Sequence, residues 1–361
     1  MQKLYQINHF VEKHFPWFVL CSVCLGVLFP DVFSPLKSVV MVLFAFMTFD
    51  NSLGGGFREL ASVILPPLPV LVTLLMLHVI MPLLVLGLGN LLFPDAPLFT
   101  IGLVLEFSIP TAVASLMWVG MSGGNTPLCL SILLLDTLLS PAVIPLTLKL
   151  LVGSVVEMDT AGMVSDLLIM VAIPALIGMT LYQITKGGVS RTLKPALAPF
   201  SKLTLLVIVI ANSTGCASFL RNLDRTLVLV MAVVFLMCLF GFFAGYWAGK
   251  LFRQDFPTVE TMCLNIGMRN NSAGAVLAMQ YFPADVLFPV AFTPVFLQLT
   301  TSLVVKVMMA TPRPKSGGPS RRQPERKIKS LPLCAADAAH FFYKKAEGFL
   351  PLSCIKGFFW P

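Results

Sequence analysis

The sequence predicts an all-α integral membrane protein of about ten transmembrane helices. Three observations carry this. Of the 361 residues, 57% are hydrophobic and 12% are charged, whereas an ordinary soluble chain carries roughly 25% charged residues. The apolar residues fall in runs of about 20, the length that takes a helix across a bilayer. These runs are continuous and do not alternate apolar with polar, which argues against a transmembrane β-barrel.

The runs lie at residues 16–30, 35–53, 66–92, 97–120, 125–152, 162–185, 200–218, 226–250, 257–281 and 285–310. The first is short. Lys3 and Lys13 precede the apolar stretch Trp17 to Phe29 as in a signal peptide, but no small-residue cleavage site follows, so a retained helix is expected. With a cytoplasmic N-terminus, the inner segments hold Lys3, Lys13, Arg58, Lys186, Arg191, Lys194, Lys202, Lys250 and Arg253, and the outer loops only Lys37, Arg221 and Arg225. An even number of spans then puts the C-terminus inside as well.

Two spans are not uniform apolar helices. The fourth reads Leu105-Glu106-Phe107-Ser108-Ile109-Pro110-Thr111-Ala112-Val113-Ala114-Ser115, the ninth Asn265-Ile266-Gly267-Met268-Arg269-Asn270-Asn271-Ser272-Ala273-Gly274. Each sets a helix breaker and polar residues at mid-membrane depth, in the fourth place of five and the ninth of ten. That pairing predicts two inverted five-helix repeats with broken helices 4 and 9. Backbone freed by a break is tolerated only where it lines protein or a water cavity. Prolines recur in the spans that follow, at Pro141 and Pro145 and at Pro289 and Pro294.

The net charge of +8 is uneven. From Arg313 onward ten Lys and Arg face three Asp and Glu, or +7, leaving +1 for residues 1–312. A cytosolic segment beside anionic lipid accounts for this without a nucleic-acid partner. Residues 313–361 are expected to be a basic, disordered cytoplasmic tail, dispensable for the work of the transmembrane domain at residues 1–312. Cys21, Cys24, Cys129, Cys216, Cys238 and Cys263 lie in or beside apolar runs and suggest neither a disulfide framework nor a zinc site.

An ionised side chain in the bilayer costs at least about 2.5–3.5 kcal/mol, so such residues need a reason. The candidates are Asp50, His78, Glu106, Asp136, Asp166 and Arg269. Arg269, inside the ninth-span break, needs a carboxylate, a cluster of carbonyls or an anionic substrate. Asp136 is its first expected partner and Glu106 the second; a salt bridge that only holds helices together is the alternative. Asp50, His78 and Asp166 are read as packing residues or helix-end residues. Half-helix N-termini near Thr111 and Asn270 would aim N–H groups at an anion, and unwound carbonyls could hold a small cation. Enzyme chemistry finds no support. Gly120-Met121-Ser122-Gly123 has the form of a rhomboid GxSG, but the only later histidine is His340 in the tail, no GxGD is present, and no Walker A motif is present.

The stretch Leu264 to Asn270 matches a glycine-methionine-polar-asparagine signature. Gly124-Asn125 followed by Leu128 through Leu139-Ser140-Pro141 and Pro145, and Val79-Ile80-Met81-Pro82, fall in register with it. With these motifs the chain resembles the bile acid:sodium symporter family over residues 10–310, in the manner of bacterial apical-bile-acid-transporter-like carriers. The resemblance implies a panel domain (about 16–53 and 162–218) and a core domain (about 66–152 and 226–310) in which the broken helices cross. It also implies organic-anion substrates moved by alternating access with sodium. The family's sodium ligands are poorly kept. The span-four serine is Ser115 but the asparagine beside it is Leu116; the span-five positions hold Cys129 and Leu133; the span-three glutamine position is Leu77; the span-nine glutamate and glutamine positions are Asn265 and Arg269. Asn270 keeps the family's asparagine.

The expectation is therefore a secondary active, symporter-like carrier of a small organic anion in the plasma (inner) membrane, lodged among membrane lipid, with monomer or oligomer left open. Thr111, Val113, Arg269 and Asn270 are the substrate-binding candidates. Ser115, Cys129, Asp136, Asn265, Ile266 and Met268 are the ion-coupling candidates. No cofactor is expected beyond a coupling ion: sodium near Ser115, or a proton if Arg269 stands in for sodium. A non-transporting receptor or scaffold on the same fold is the alternative.

Overall fold

The structure is a computed structural model that describes residues 18, 21–58, 60, 67–215, 217–221 and 223–310; the tail expectation falls outside them. Among the described residues there is no strand, and helices account for nearly everything. They are α1 (residues 21–28), α2 (Pro30–Ser52), α3 (Leu68–Leu92), α4 (Pro97–Ser108), α5 (Ala114–Ser122), α6 (Thr126–Val152), α7 (Thr160–Ile184), α8 (Gly188–Thr214), α9 (Ala217–Arg221), α10 (Arg225–Leu251), α11 (Phe256–Gly267), α12 (Asn271–Tyr281) and α13 (Ala284–Ala310). Seven of them, α2, α3, α6, α7, α8, α10 and α13, are long and apolar enough to cross a membrane. The first two expected spans divide differently from their reading in sequence. Pro30 opens a helix instead of lying at the end of one, and the stretch through Pro35 is a 3-10 turn inside α2. A proline at the first helical position needs no N–H partner and is preset in φ, so it starts helices.

The same rule, joined to side-chain caps, sets the other boundaries. Asn125, Asp159, Asp224 and Asp255 each accept an N–H from the first turn of the helix they precede. Gly123 ends α5 in the left-handed region, at φ 83°. The rhomboid-like Gly120–Gly123 motif is thus a helix C-terminus, and Ser122 bonds back to the Val119 carbonyl. Two helices contain a π turn, Met76–Ile80 in α3 and Leu168–Ala172 in α7. Each lies just before a proline, Pro82 and Pro174. Proline removes one N–H from the ladder and its ring crowds the carbonyl four residues back, which in α3 is that of His78. The wider turn relieves the crowding, with Met81 N–H bonding five residues back to Met76.

The distribution of side chains is that of a membrane protein. Leu91, Leu150 and Ile184 are 75%, 72% and 72% exposed, while Glu106, Asp136 and Asn265 are wholly buried. Apolar surface faces outward where lipid solvates it, and polar groups turn inward to one another. Helix α2 packs against α7 and α8, and Ser201 on α8 donates to Asp50 on α2 at 2.5 Å. Helix α4 is enclosed by α3 and α13, and α10 lies along α11. The α10–α11 seam is built on Gly241, Gly245 and Gly249, one per turn. A Cβ at Gly245 would stand 2.8 Å from Cys263 Cα, and one at Gly249 3.0 Å from Val259 Cα. Small residues at this spacing let two backbones approach closely where no hydrophobic effect drives helices together.

The seam carries a prediction. Gly245→Leu should lower the melting temperature in detergent and shift the protein toward aggregate on size exclusion, because overpacking costs typically about 1–3 kcal/mol. Gly120→Ala, where a Cβ meets nothing within 4 Å, should leave both unchanged. Equal behaviour of the two variants would contradict the close-packed seam.

Candidate functional site: the crossing of two broken helices

Helix α4 stops at Ser108. The next residue, Ile109, precedes Pro110 and is extended (φ −71°, ψ 153°), as the clash of a proline ring with the residue before it requires. Helix α11 stops at Gly267, where a Cβ would run into the Phe242 ring, and Met268 is again extended. The two breaks meet. Thr111 and Arg269 form an antiparallel bridge, Asn270 N–H donates to the Pro110 carbonyl at 2.9 Å, and Ala112 N–H to the Met268 carbonyl at 3.3 Å. Beyond each break the chain re-enters a helix, α5 and α12. Neither has a side-chain cap, whereas α6, α7, α10 and α11 each have one. Their first turns are closed by backbone alone, Ser115 N–H on the Ala112 carbonyl and Ala273 N–H on the Asn270 carbonyl, and their positive dipole ends lie at the crossing.

Thr111 is held twice over. Its N–H donates to Asp136 Oδ2 at 2.7 Å and its hydroxyl to the Asn265 carbonyl at 2.9 Å. The other oxygen of Asp136 meets His78 Nε2 at 2.5 Å. Asp136 therefore does not form the expected ion pair with Arg269. The reason is positional: the π turn carries His78 against α6, and the break brings an unpaired N–H, so both carboxylate oxygens are taken. Glu106 does not pair with Arg269 either; its Oε1 accepts from Asn271 Nδ2 at 3.1 Å. Arg269 is 2% exposed, and neither Nε nor either Nη meets an acceptor among the described residues. The guanidinium carbon lies 5.9 Å from the Phe107 ring centroid, within cation–π range. Asp136 and Glu106 are the nearby acids whose charges act on it. The arginine is thus balanced in charge yet unpaired in hydrogen bonds.

Of the ion-coupling candidates, Ser115, Cys129 and Asn265 form a second, neutral cluster on the other side of Thr111, apart from Asp136. Ser115 Oγ donates to Asn265 Oδ1 at 3.3 Å and lies 3.5 Å from Cys129 Sγ. Asn265 Nδ2 donates to the Thr261 carbonyl at 2.9 Å and reaches Cys129 Sγ at 3.3 Å. Oxygen for a hard cation is scarce here: a hydroxyl, an amide oxygen and backbone carbonyls, with a thiol in place of further oxygen. Ile266 and Met268 are buried beside it, and the Met268 carbonyl already accepts from Ala112. Of the substrate candidates, Val113 and Asn270 keep partial exposure whereas Thr111 and Arg269 are buried.

Asp50 and Asp166 stand apart from the crossing. Asp166 takes the hydroxyl of Tyr281 and the amide of Gln280. Reading the sequence missed Asn271, the donor to Glu106, because Asn270 beside it is the asparagine of the signature. It also missed Glu260, a wholly buried carboxylate on α11, although an acid within an apolar run was signal enough. His78 was read as a packing residue; the Asp136 contact is tertiary and leaves no mark in sequence spacing.

The profile of the Sodium Bile acid symporter family matches residues 40–222. "Uncharacterized protein YbaS" of Bacillus subtilis (strain 168) is 39% identical over 282 residues, 78% of this chain and 92% of that protein. "Uncharacterized sodium-dependent transporter YocS" of the same organism is 25% identical over 318 residues, 88% of this chain and 98% of that one. "Probable sodium/metabolite cotransporter BASS2, chloroplastic" of Oryza sativa subsp. japonica is 25% identical over 270 residues, 74% of this chain and 63% of that one. The chain is a multi-pass membrane protein and belongs to the Sodium Bile acid symporter family.

Proposed function

We propose that the protein is a secondary active transporter that moves a small organic anion by alternating access. One observation carries the reading: a buried guanidinium with no hydrogen-bond acceptor among the described residues lies at the meeting of two uncapped half-helix N-termini. Fixed donors and positive dipole ends that converge at membrane depth suit a carboxylate or another anion. Arg269, Asn270, Val113 and Thr111 are the residues assigned to it. Arg269 presents its fork, while the Thr111 backbone holds the crossing in shape.

The same reading assigns ten spans in two inverted repeats. The first runs through α1, α2, α3, the α4–α5 pair and α6; the second through α7, α8, α10, the α11–α12 pair and α13. Each broken pair is followed by a helix of 27 residues, α6 and α13. Helices α1, α2, α7 and α8 make the panel and the others the core, and a movement of one against the other opens the crossing to either side. Both termini are assigned to the cytoplasm and the protein to the plasma membrane.

For the coupling ion, the Ser115, Cys129 and Asn265 cluster argues against tight sodium binding, because an amide and a thiol replace charged and neutral oxygens. Arg269 adds a fixed positive charge close by, which repels a second cation in a low-dielectric site. A second reading, sodium coupling through Ser115 and backbone carbonyls, is favoured by the names of the relatives in Bacillus and rice.

Two measurements test these readings. In counterflow into proteoliposomes with labelled mono- and dicarboxylates and tritiated taurocholate, the wild type should exchange at least one probe. Arg269→Gln, folded by size exclusion, should lose exchange of that probe about 10- to 100-fold, the loss expected for one charge-assisted contact. No exchange of any probe, with an anion still raising the melting temperature, would favour a receptor on the same fold. At fixed pH, replacing sodium by choline should leave uptake within about twofold, since a cation site without a carboxylate holds sodium weakly. Sodium dependence should appear in Arg269→Gln combined with Asn265→Glu. Strict sodium dependence in the wild type, unchanged in Arg269→Gln, would establish the second reading instead.

A further inference from the structure

We propose that His78 and Asp136 form a proton-binding site that couples protonation to anion binding at the crossing; this rests on the reading of the chain as an organic-anion carrier. The pair is buried at membrane depth, with His78 9% exposed and Asp136 wholly buried. It is joined to the crossing by a direct bond, since Asp136 holds His78 with Oδ1 and the Thr111 N–H with Oδ2. The ionised carboxylate accepts only, so His78 Nε2 carries the hydrogen in that contact. This leaves Nδ1 as the site for an added proton, and Nδ1 has no hydrogen-bond partner among the described residues. The imidazole is placed there by the π turn that Pro82 imposes on α3, a local irregularity often found where helices carry function.

Counting charge shows why a proton should travel with the anion. With His78 neutral and Asp136 ionised, the pair carries one negative charge, which balances Arg269. A bound anion leaves the buried cluster one negative charge in excess, and a proton on His78 Nδ1 restores the balance. The state of Glu106 on α4 enters both sums equally and does not change the difference. The other titratable groups on helices packed around the pair are Cys129 and Lys149 on α6, Asp166 and Tyr182 on α7, Arg225, Cys238, Tyr246 and Lys250 on α10, and Glu260 and Cys263 on α11. The thiols are neutral sites in both states. By linkage, each ligand then raises affinity for the other.

Two readouts decide the matter. The sequence has four histidines, His9, His14, His78 and His340, so nitrogen-15 histidine NMR in lipid nanodiscs resolves His78 as the signal lost in His78→Gln. Its ring nitrogens should report a proton gained at Nδ1 as taurocholate is added, and this gain should be lost in Asp136→Asn, which removes the charge that favours imidazolium. The second readout is uptake of tritiated taurocholate, whose sulfonate stays ionised throughout, into sodium-free proteoliposomes. An inside-alkaline gradient should stimulate uptake over counterflow in the wild type and give a ratio near one in His78→Gln. A His78 signal that gains no proton when taurocholate is added, or gradient stimulation in His78→Gln equal to wild type, overturns the proposal. Absence of taurocholate exchange in the wild type counts against the carrier reading for that anion, and the NMR readout with added taurocholate then decides the proton site by itself.

Discussion

Two stretches of unwound backbone lie buried among the membrane helices, and the arrangement at the centre of this protein follows from the need to satisfy them. A free peptide N–H or carbonyl in a bilayer costs several kcal/mol. Each break in this fold supplies what the other lacks. Pro110 and Met268 accept from Asn270 and Ala112, and Thr111 lies across from Arg269. Neither break is tolerable alone, so the two broken helices must meet. Their meeting fixes the position of α6, whose Asp136 takes the remaining N–H of Thr111.

Charge is then arranged around a framework already fixed by hydrogen bonds. Asp136 is committed to a backbone group and to His78, and Glu106 to Asn271. Arg269 is left among acids that neutralise it without engaging its donors. A bidentate salt bridge would have locked the guanidinium to one helix; the observed arrangement keeps five donors unspent within a buried, compensated field. On the other side of Thr111, Ser115, Cys129, Thr261 and Asn265 satisfy one another as neutral dipoles. The crossing is thus divided into a charged half and a neutral half, with Thr111 shared between them.

The irregular helices serve the same end. A π turn before Pro82 rotates His78 toward α6 without breaking α3, because one widened turn accommodates the missing N–H. Along α10, three glycines one turn apart let α11 come close enough for its end to reach the crossing.

Much of this was legible in the sequence. Continuous apolar runs marked the membrane helices, and Pro110 and Gly267 marked the breaks, because breakers and polar residues at membrane depth are too costly to stand where they face lipid. Arg269 and Asp136 stand out as ionisable residues out of place in such runs, and Ser115 and Asn265 through the resemblance to the family. Their partners do not. The sequence favoured an Arg269–Asp136 pair on charge alone, while the structure gives Asp136 to His78 and Thr111 and leaves Arg269 without an acceptor among the described residues. The glycine seam of α10 and the Asn271–Glu106 contact likewise depend on which helices face each other. Local chemistry determined where helices start, stop and break, for those rules act within a few residues of chain. Which buried groups share a hydrogen bond was decided by tertiary packing, because it depends on directions and distances between helices far apart in sequence, and a backbone N–H freed by a break can take a carboxylate that charge alone would assign elsewhere.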